Sequence, residues 1–532
     1  MTGAGLLFRL FLRRDRVLLP GWIGLITLLV IGTAVQYAGL FPTAELQRAF
    51  LTEVTGNAAL SAFTGQAHGS GLPALTGWKI SDIAYALTSL MAILITVRHT
   101  RAEEESGRAE LLGAGVLGRH AVLAAALALT WTAALGAGLL IAVGLLVLGF
   151  ALVNAVAFGI AVAAPGLVFG ALAGLTAQLT PRARTATALA ATGFGLAYLL
   201  RFLADGSGVL WLRWLSPTGW SHLLQPTGDP RWAVLLLPLT TTALLTALAA
   251  NLVSRRDHGA GVLATRTGPA VAAPGLSSAF GLAWRLHRGQ LLGWTAGFAV
   301  AGAATAAVAK GMPEIAGRGG PAIREFFRRY AAGPEAGIAD TYLWLIMLSL
   351  GGVAALYPML VTLRLRAEET DGRAELTLST TVGRTRWALS HLAFALLGTA
   401  SMLLSGGLTA ATVHTLSTSD GAQFGRVLLG ALVQVPAAWT IGAVAVLAFG
   451  FLPRAAAAIS WTVWLLTNLV GEQLGPVLGV DYWLANQIVP FHHIPKVLSG
   501  GEFATIPLLA LTAVTLLLAG TGLFGLRRRD LG

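Results

Sequence analysis

A chain of 532 residues with 55% hydrophobic and 11% charged residues, 65 glycines and a mean hydropathy of +0.72 is not a water-soluble domain but an integral membrane protein. Its 36 basic residues outnumber 24 acids, for a formal charge of +12, and it has no cysteine. That excludes a disulfide framework, a thiolate metal site and a cysteine nucleophile.

The chain opens on GLLFRLFLRRDRVLLPGW, basic and then apolar. The apolar part is too long for a cleaved leader and has no small-x-small site. Arg9, Arg13 and Arg16 share one helical face, with Leu7, Phe8 and Phe11 on the others, which predicts an elbow helix lying in a membrane interface. Apolar runs then recur, each about the ~20 residues that cross a hydrocarbon core. Twelve candidate spans follow at roughly 18–40, 80–97, 120–146, 153–179, 187–203, 232–253, 291–311, 341–362, 387–412, 427–452, 455–475 and 505–526. The stretch 120–179 is nearly unbroken and is divided only near Asn154. After the first span of each half, TAELQRAFLTEV (43–54) and AIREFFRRYAAG (322–333) read as amphipathic helices, either an outer cap or interfacial anchors.

Between the second and third spans stands RAEEESGRAELLGAGVLGR (101–119), and RAEETDGRAELTLSTTVGR (366–384) repeats it 265 residues later with 11 identities in 19 positions. Fainter echoes follow in the same order, PRA at 181–183 and 453–455, then SPTGWSH (216–222) against VPFHH (489–493). The chain therefore reads as two tandem halves, 1–258 and 280–532, joined by a Gly/Ala/Pro-rich linker at 259–279. Six spans per half is an even number, so the repeat is parallel. GLAWRLHRGQLLGW (281–294) opens the second half as a second elbow helix or as basic flanking of the span.

In each cassette a glutamate precedes an arginine by four residues, Glu104 to Arg108 and Glu369 to Arg373, the favourable order for a helix-face pair worth about a few tenths of a kcal/mol. Each cassette is predicted as a short helix. Glu103, Glu110, Glu368 and Glu375 are surplus acids that call for something basic to contact. Placing the N-terminus inside puts 24 of the 36 basic residues, both cassettes and both termini on the cytoplasmic side. The positive charge is then explained by topology, with no nucleic-acid partner required.

The other chemistry is sparse. ISWTVWLLTNLVGEQLG sets Trp464, Asn468 and Glu472 on one helical face, a candidate cargo-facing strip, although Trp464 also suits packing and Glu472 could pair with Arg201. Asp82 and Asp340 begin spans two and eight. His492 and His493 sit together without carboxylate or cysteine partners, which is weak as a metal site. No clustered acid, base and nucleophile supports embedded enzymatic chemistry. None of the three lysines, Lys79, Lys310 and Lys496, follows a glycine, so no phosphate-binding Gly-Lys loop exists.

The two cassettes, with LSPTGWSH and VPFHHIP before the last span of each half, resemble the ABC-2-type permease subunits of actinobacteria, specifically the polyketide-antibiotic (tetronasin-type) exporter permeases. That resemblance covers essentially the whole chain. It implies an all-α fold of about twelve transmembrane helices in two parallel six-helix repeats, the ABC-2 (type V-like) exporter fold. It also implies a place in a bacterial plasma membrane. Two copies of a separately encoded ATPase, which binds ATP and Mg, would then drive hydrophobic or amphipathic compounds outward. The cassettes would be its coupling helices, with Glu103, Glu104, Gly107, Arg108, Glu110 and Arg119, and Glu368, Glu369, Gly372, Arg373, Glu375 and Arg384, as the contact. The second copy departs at Thr370–Asp371 and through TLSTT, so the two contacts need not be equal. A proton-coupled carrier of major-facilitator type, also two parallel six-span halves, is the alternative.

Overall fold

The computed structural model describes residues 2–55, 61, 64–108, 117–257, 259–263, 270–313, 327–328, 331–333, 336–468 and 489–529. Among these no strand occurs. The chain divides into two units, Met1–Gly268 and Pro269–Gly532.

The first unit runs α1 (Ala4–Arg14), α2 (Leu18–Leu40), α3 (Ala44–Thr55), α4 (Gly71–His99), α5 (Arg101–Glu105), α6 (Ala121–Val147), α7 (Leu152–Leu179), α8 (Ala183–Ser207), α9 (Pro217–Leu223) and α10 (Leu236–Arg255). The second runs α11 (Ala279–Ala309), α12 (Ile338–Ala354), α13 (Leu356–Thr370), α14 (Arg373–Leu378), α15 (Arg384–Thr418), α16 (Ala422–Leu432), α17 (Val435–Phe451), α18 (Ala456–Leu465) and α19 (Thr505–Arg528).

Ten helical stretches among the described residues are long and apolar enough to cross a membrane, and they coincide with ten of the expected spans. Of the other two, 291–311 falls in α11, and 455–475 begins in α18 and passes beyond residue 468, outside the described residues. The run 120–179 is two helices, as the spans 120–146 and 153–179 anticipate, and the break lies at 148–151, where Gly149 takes φ +86. Asn154 sits in the first turn of α7, and its Nδ2 donates to Pro226 O at 3.1 Å and Gly228 O at 2.7 Å.

At some of the glycines the helices touch backbone to backbone. A Cβ on Gly138 of α6 would lie 2.4 Å from Gly159 O of α7, and one on Gly450 of α17 would lie 2.1 Å from Gly522 O of α19. In lipid there is little hydrophobic drive between helices, so close packing and polar contacts hold them together. Each unit supplies one such contact between threonines: Thr96 to Thr130 at 2.9 Å, and Thr440 to Thr515 at 3.0 Å.

The two stretches expected as elbow helices fold differently. α1 is a separate helix that buries Leu7 and Phe11, and Phe11 stacks on His99 at 4.3 Å. A turn follows, leaving Arg16 outside the helix, and Pro20 in the first turn of α2 lacks the N–H that would continue the α1 ladder. In the second half no breaker intervenes after Ala279, so 281–294 is the start of the 31-residue α11 and not a separate elbow.

Candidate functional site

The cassettes fold as a helix end, a glycine turn and a restart. α5 stops at Glu105 because Gly107 takes φ +71, and α13 stops at Thr370 because Gly372 takes φ +70. Nothing stands within 4 Å of a Cβ on either glycine, so it is the left-handed backbone and not crowding that requires glycine there. The turn breaks the expected helix-face pairs. Arg108 comes only to 4.0 Å from Glu103, and Arg373 pairs with Asp371 at 2.6 Å.

Glu104 is instead bound from far along the chain. Arg256, the residue after α10, donates Nη2 to its Oε1 at 2.5 Å and Nη1 to its Oε2 at 2.9 Å, and Arg101 adds a bond at 2.7 Å. Arg119 then donates to Val253 O at 2.8 Å and Arg256 O at 2.7 Å, satisfying carbonyls at the end of α10. The second unit repeats this. Arg529, the residue after α19, donates Nη1 and Nη2 to the two oxygens of Glu369 at 2.8 and 2.6 Å, while Arg384 donates to Arg529 O at 2.6 Å. Glu104, Arg119, Glu369 and Arg384 thus meet partners inside their own unit.

Glu103 and Glu368 also find their cations internally, by different chemistry. Glu103, 4% exposed, pairs with Arg14 of α1, beside Asp15, which meets His99 at 2.6 Å and Arg98 at 3.2 Å. Glu368 pairs with Arg364 at 3.1 Å and lies 3.7 Å from His391, which is 2.9 Å from His287 of α11. The PRA segments lie on the cassettes as well: Ala183 N–H donates to Glu105 at 2.8 Å, and Arg366 donates to Arg454 O at 3.0 Å.

The charged residues that the cassettes leave exposed include Glu105 and Arg108 in the first copy, and Asp371, Arg373 and Glu375 in the second, where Leu376 is also 76% exposed. Beside α14 opens a cavity of 720 Å³ whose walls include Arg366, Glu369, Glu375, Leu378, Pro453 and Arg529. Glu110 lies outside the described residues.

Away from the cassettes, Trp464 donates Nε1 to Gly352 O at 2.9 Å and Asn468 donates to Trp464 O at 2.9 Å, so both are tied to backbone. Glu472 lies outside the described residues. Arg201 meets Asp82 at 2.9 Å and Asp205 at 3.2 Å, all buried; His222 reaches Asp82 at 2.8 Å, and Arg213 pairs with Asp205. Asp82 lies well inside α4, which begins at Gly71, whereas Asp340 stands in the first turn of α12 and pairs with Arg426 at 3.2 Å. His68, in the loop before α4, is pushed down to about 4 by burial and by the positive neighbours His222, Arg213 and Arg231. Burial likewise lowers His492, next to Lys496 and His493. No cluster of metal-ligating side chains occurs among the described residues.

Arg256 and Arg529 escape a search for repeats in a single register, because they lie 273 residues apart and the cassettes 265. The signal was RRD at 255–257 and again at 528–530.

Over 535 residues the chain is 41% identical to the multidrug efflux system permease protein Rv1217c of Mycobacterium tuberculosis (strain ATCC 25618 / H37Rv), which covers 99% of this chain and 95% of that protein. Residues 276–527 match the family described as multidrug efflux system permease Rv1217c, C-terminal domain.

Proposed function

The chain belongs to the multidrug efflux system permeases, a multi-pass membrane protein with ten helical stretches among the described residues apolar and long enough to span, and from that premise we propose that it is the transport subunit of an ATP-driven exporter. In this reading a separately encoded ATPase, two copies of it, binds ATP and Mg and docks on the cassettes from the cytoplasm. The permease has about twelve spans in two parallel repeats of the ABC-2 type, keeps both termini inside, and moves hydrophobic or amphipathic compounds outward. Antibiotics and other drugs are the cargo class that the likeness to a multidrug efflux permease supports.

One observation carries the reading. The cassettes are fastened from behind by Arg256 and Arg529, and the second presents the short helix α14, with Leu376 exposed, beside a 720 Å³ cavity. An exposed leucine next to Glu375 on a helix beside a cavity suits a protein partner's contact surface. The chain's three lysines offer no Gly-Lys loop, so ATP chemistry falls to the partner.

Purification of tagged protein from its native membrane tests this. An ATPase is expected to co-purify, and Arg373→Glu/Leu376→Asp to lose it while the permease keeps its abundance. A permease that comes out alone under several mild detergents and drives drug transport in liposomes on a proton gradient without ATP would replace this reading with a secondary carrier.

A further inference from the structure

We infer that Arg256 and Arg529 are positioning residues of the transport cycle: each is a permanent joint that makes a cassette and the last helix of its half move as one body. The inference rests on the cassettes being where the partner pushes.

Each arginine is held twice. Its guanidinium forms a two-bond fork with a cassette glutamate, Glu104 or Glu369, and its own carbonyl accepts from the arginine that closes the same cassette, Arg119 or Arg384. A fork of two parallel charged bonds fixes direction as well as distance. Gripping one residue by side chain and main chain together removes the remaining freedom to swivel. The cation also stands at a helix C-terminus, where the helix dipole favours it.

The joint is largely shielded from water. Side-chain exposure is 8% and 7% for Glu104 and Arg256, and 10% and 16% for Glu369 and Arg529. In contrast, the arginines on the outward side of the turn, Arg108 and Arg373, are 59% and 61% exposed.

Its surroundings differ between the halves while its geometry does not. Arg256 is buttressed by Gln178 at 2.7 Å and by Ala260 O at 3.1 Å, whereas Arg529 lies over the Phe449 ring at 4.8 Å. Two diverged settings that keep the same three-residue arrangement point to a requirement for the arrangement itself. A structural anchor alone could be met by either glutamate's nearer arginine, Arg101 or Arg366, without reaching the last helix.

The chain's lack of cysteine makes a direct test possible. Glu369→Cys/Arg529→Cys in the full chain removes the joint, and a bifunctional thiol reagent with a spacer of side-chain length restores it covalently. The readout is ethidium efflux from cells, with membrane abundance, partner co-purification and ATP turnover measured on the same samples. The double variant is expected to lose roughly tenfold or more of its efflux at normal abundance and with partner still bound. Cross-linking should bring efflux back, and Glu369→Cys alone should not respond to the reagent. Wild-type efflux from the untreated double variant, or no recovery in protein shown to be cross-linked, overturns the inference. If the double variant does not accumulate, Arg529→Lys and Arg256→Lys decide. They keep the charge and lose the fork, so intermediate efflux is expected and full efflux from both overturns the joint. Loss and rescue of efflux in a permease that captures no ATPase would sink the ATP-driven reading and leave the joint standing.

Discussion

The two halves agree at their cassettes and part company elsewhere. Glu104 with Arg256 and Glu369 with Arg529 are the same construction, closed by Arg119 and Arg384 onto the same carbonyl position. The connections behind them to the first helix of each half use different chemistry: an aspartate and histidine with Arg14 in the first half, and a histidine pair leading to Glu368 in the second. Away from the cassettes the contrast is wider. The first half buries Asp82, Arg201, Asp205 and Arg213 together, while the second places Trp464 and Asn468 against the Gly352 backbone. A duplicated protein is free to vary wherever one half can compensate for itself. It keeps what both halves need in the same form.

Breaking the buried ion network gives the largest difference between the halves. Arg201→Ala leaves Asp82 and Asp205 without their shared cation, and removal of one member of a buried ionic group typically costs about 3–5 kcal/mol. Asp340→Ala, which breaks a pair whose arginine is 44% exposed, should cost less than ~1 kcal/mol. Thermal unfolding of the two detergent-solubilised variants beside wild type checks the contrast, and equal shifts would contradict it.

A smaller effect should be the same on both sides. Gly138→Ala and Gly450→Ala each drive a Cβ against a carbonyl of the neighbouring helix, and a backbone oxygen cannot swing aside as a side-chain tip can. Overpacking of this kind costs about 1–3 kcal/mol, so comparable losses of thermal stability are expected. A silent substitution in either half would show that the glycine contact there is slack.

A third effect depends on pH. His68 takes a proton only near pH 4 in the folded protein, against 6.5 when unfolded. As pH falls through 6.5 the unfolded chain binds a proton that the folded loop refuses, so stability present above 6.5 is lost progressively toward pH 4. His68→Gln should flatten that part of the stability profile while leaving pH 8 unchanged. An unaltered slope between pH 6.5 and 4 would assign the acid sensitivity to other groups.

Much of the fold was legible because hydropathy is a local property. A run of apolar residues at the length of a bilayer is sufficient for a span, and ten expected spans coincide with helices that meet that criterion. The division of 120–179 was legible too, since the spans 120–146 and 153–179 match α6 and α7, but Asn154 is not itself the interruption: it bonds the loop at 226–228 from within the helix. No separate second elbow forms, since a basic and aromatic start without a proline or a turn simply continues as helix. At the cassette, the glutamate and arginine four apart suggested a local pair, but Gly107 and Gly372 at positive φ turn the chain before it can form.

Sequence by itself determined that this is a membrane protein, where the apolar runs lie, and that one charged segment occurs twice. Those follow from composition, periodicity and identity along the chain. Only the tertiary structure decided what the charges meet. Glu104 and Arg256 are 152 residues apart, and Glu369 and Arg529 are 160 apart. Apart from the short RRD repeated at 255–257 and 528–530, nothing local marks those arginines out or names their partners, because an ion pair between distant segments is fixed by how the helices pack.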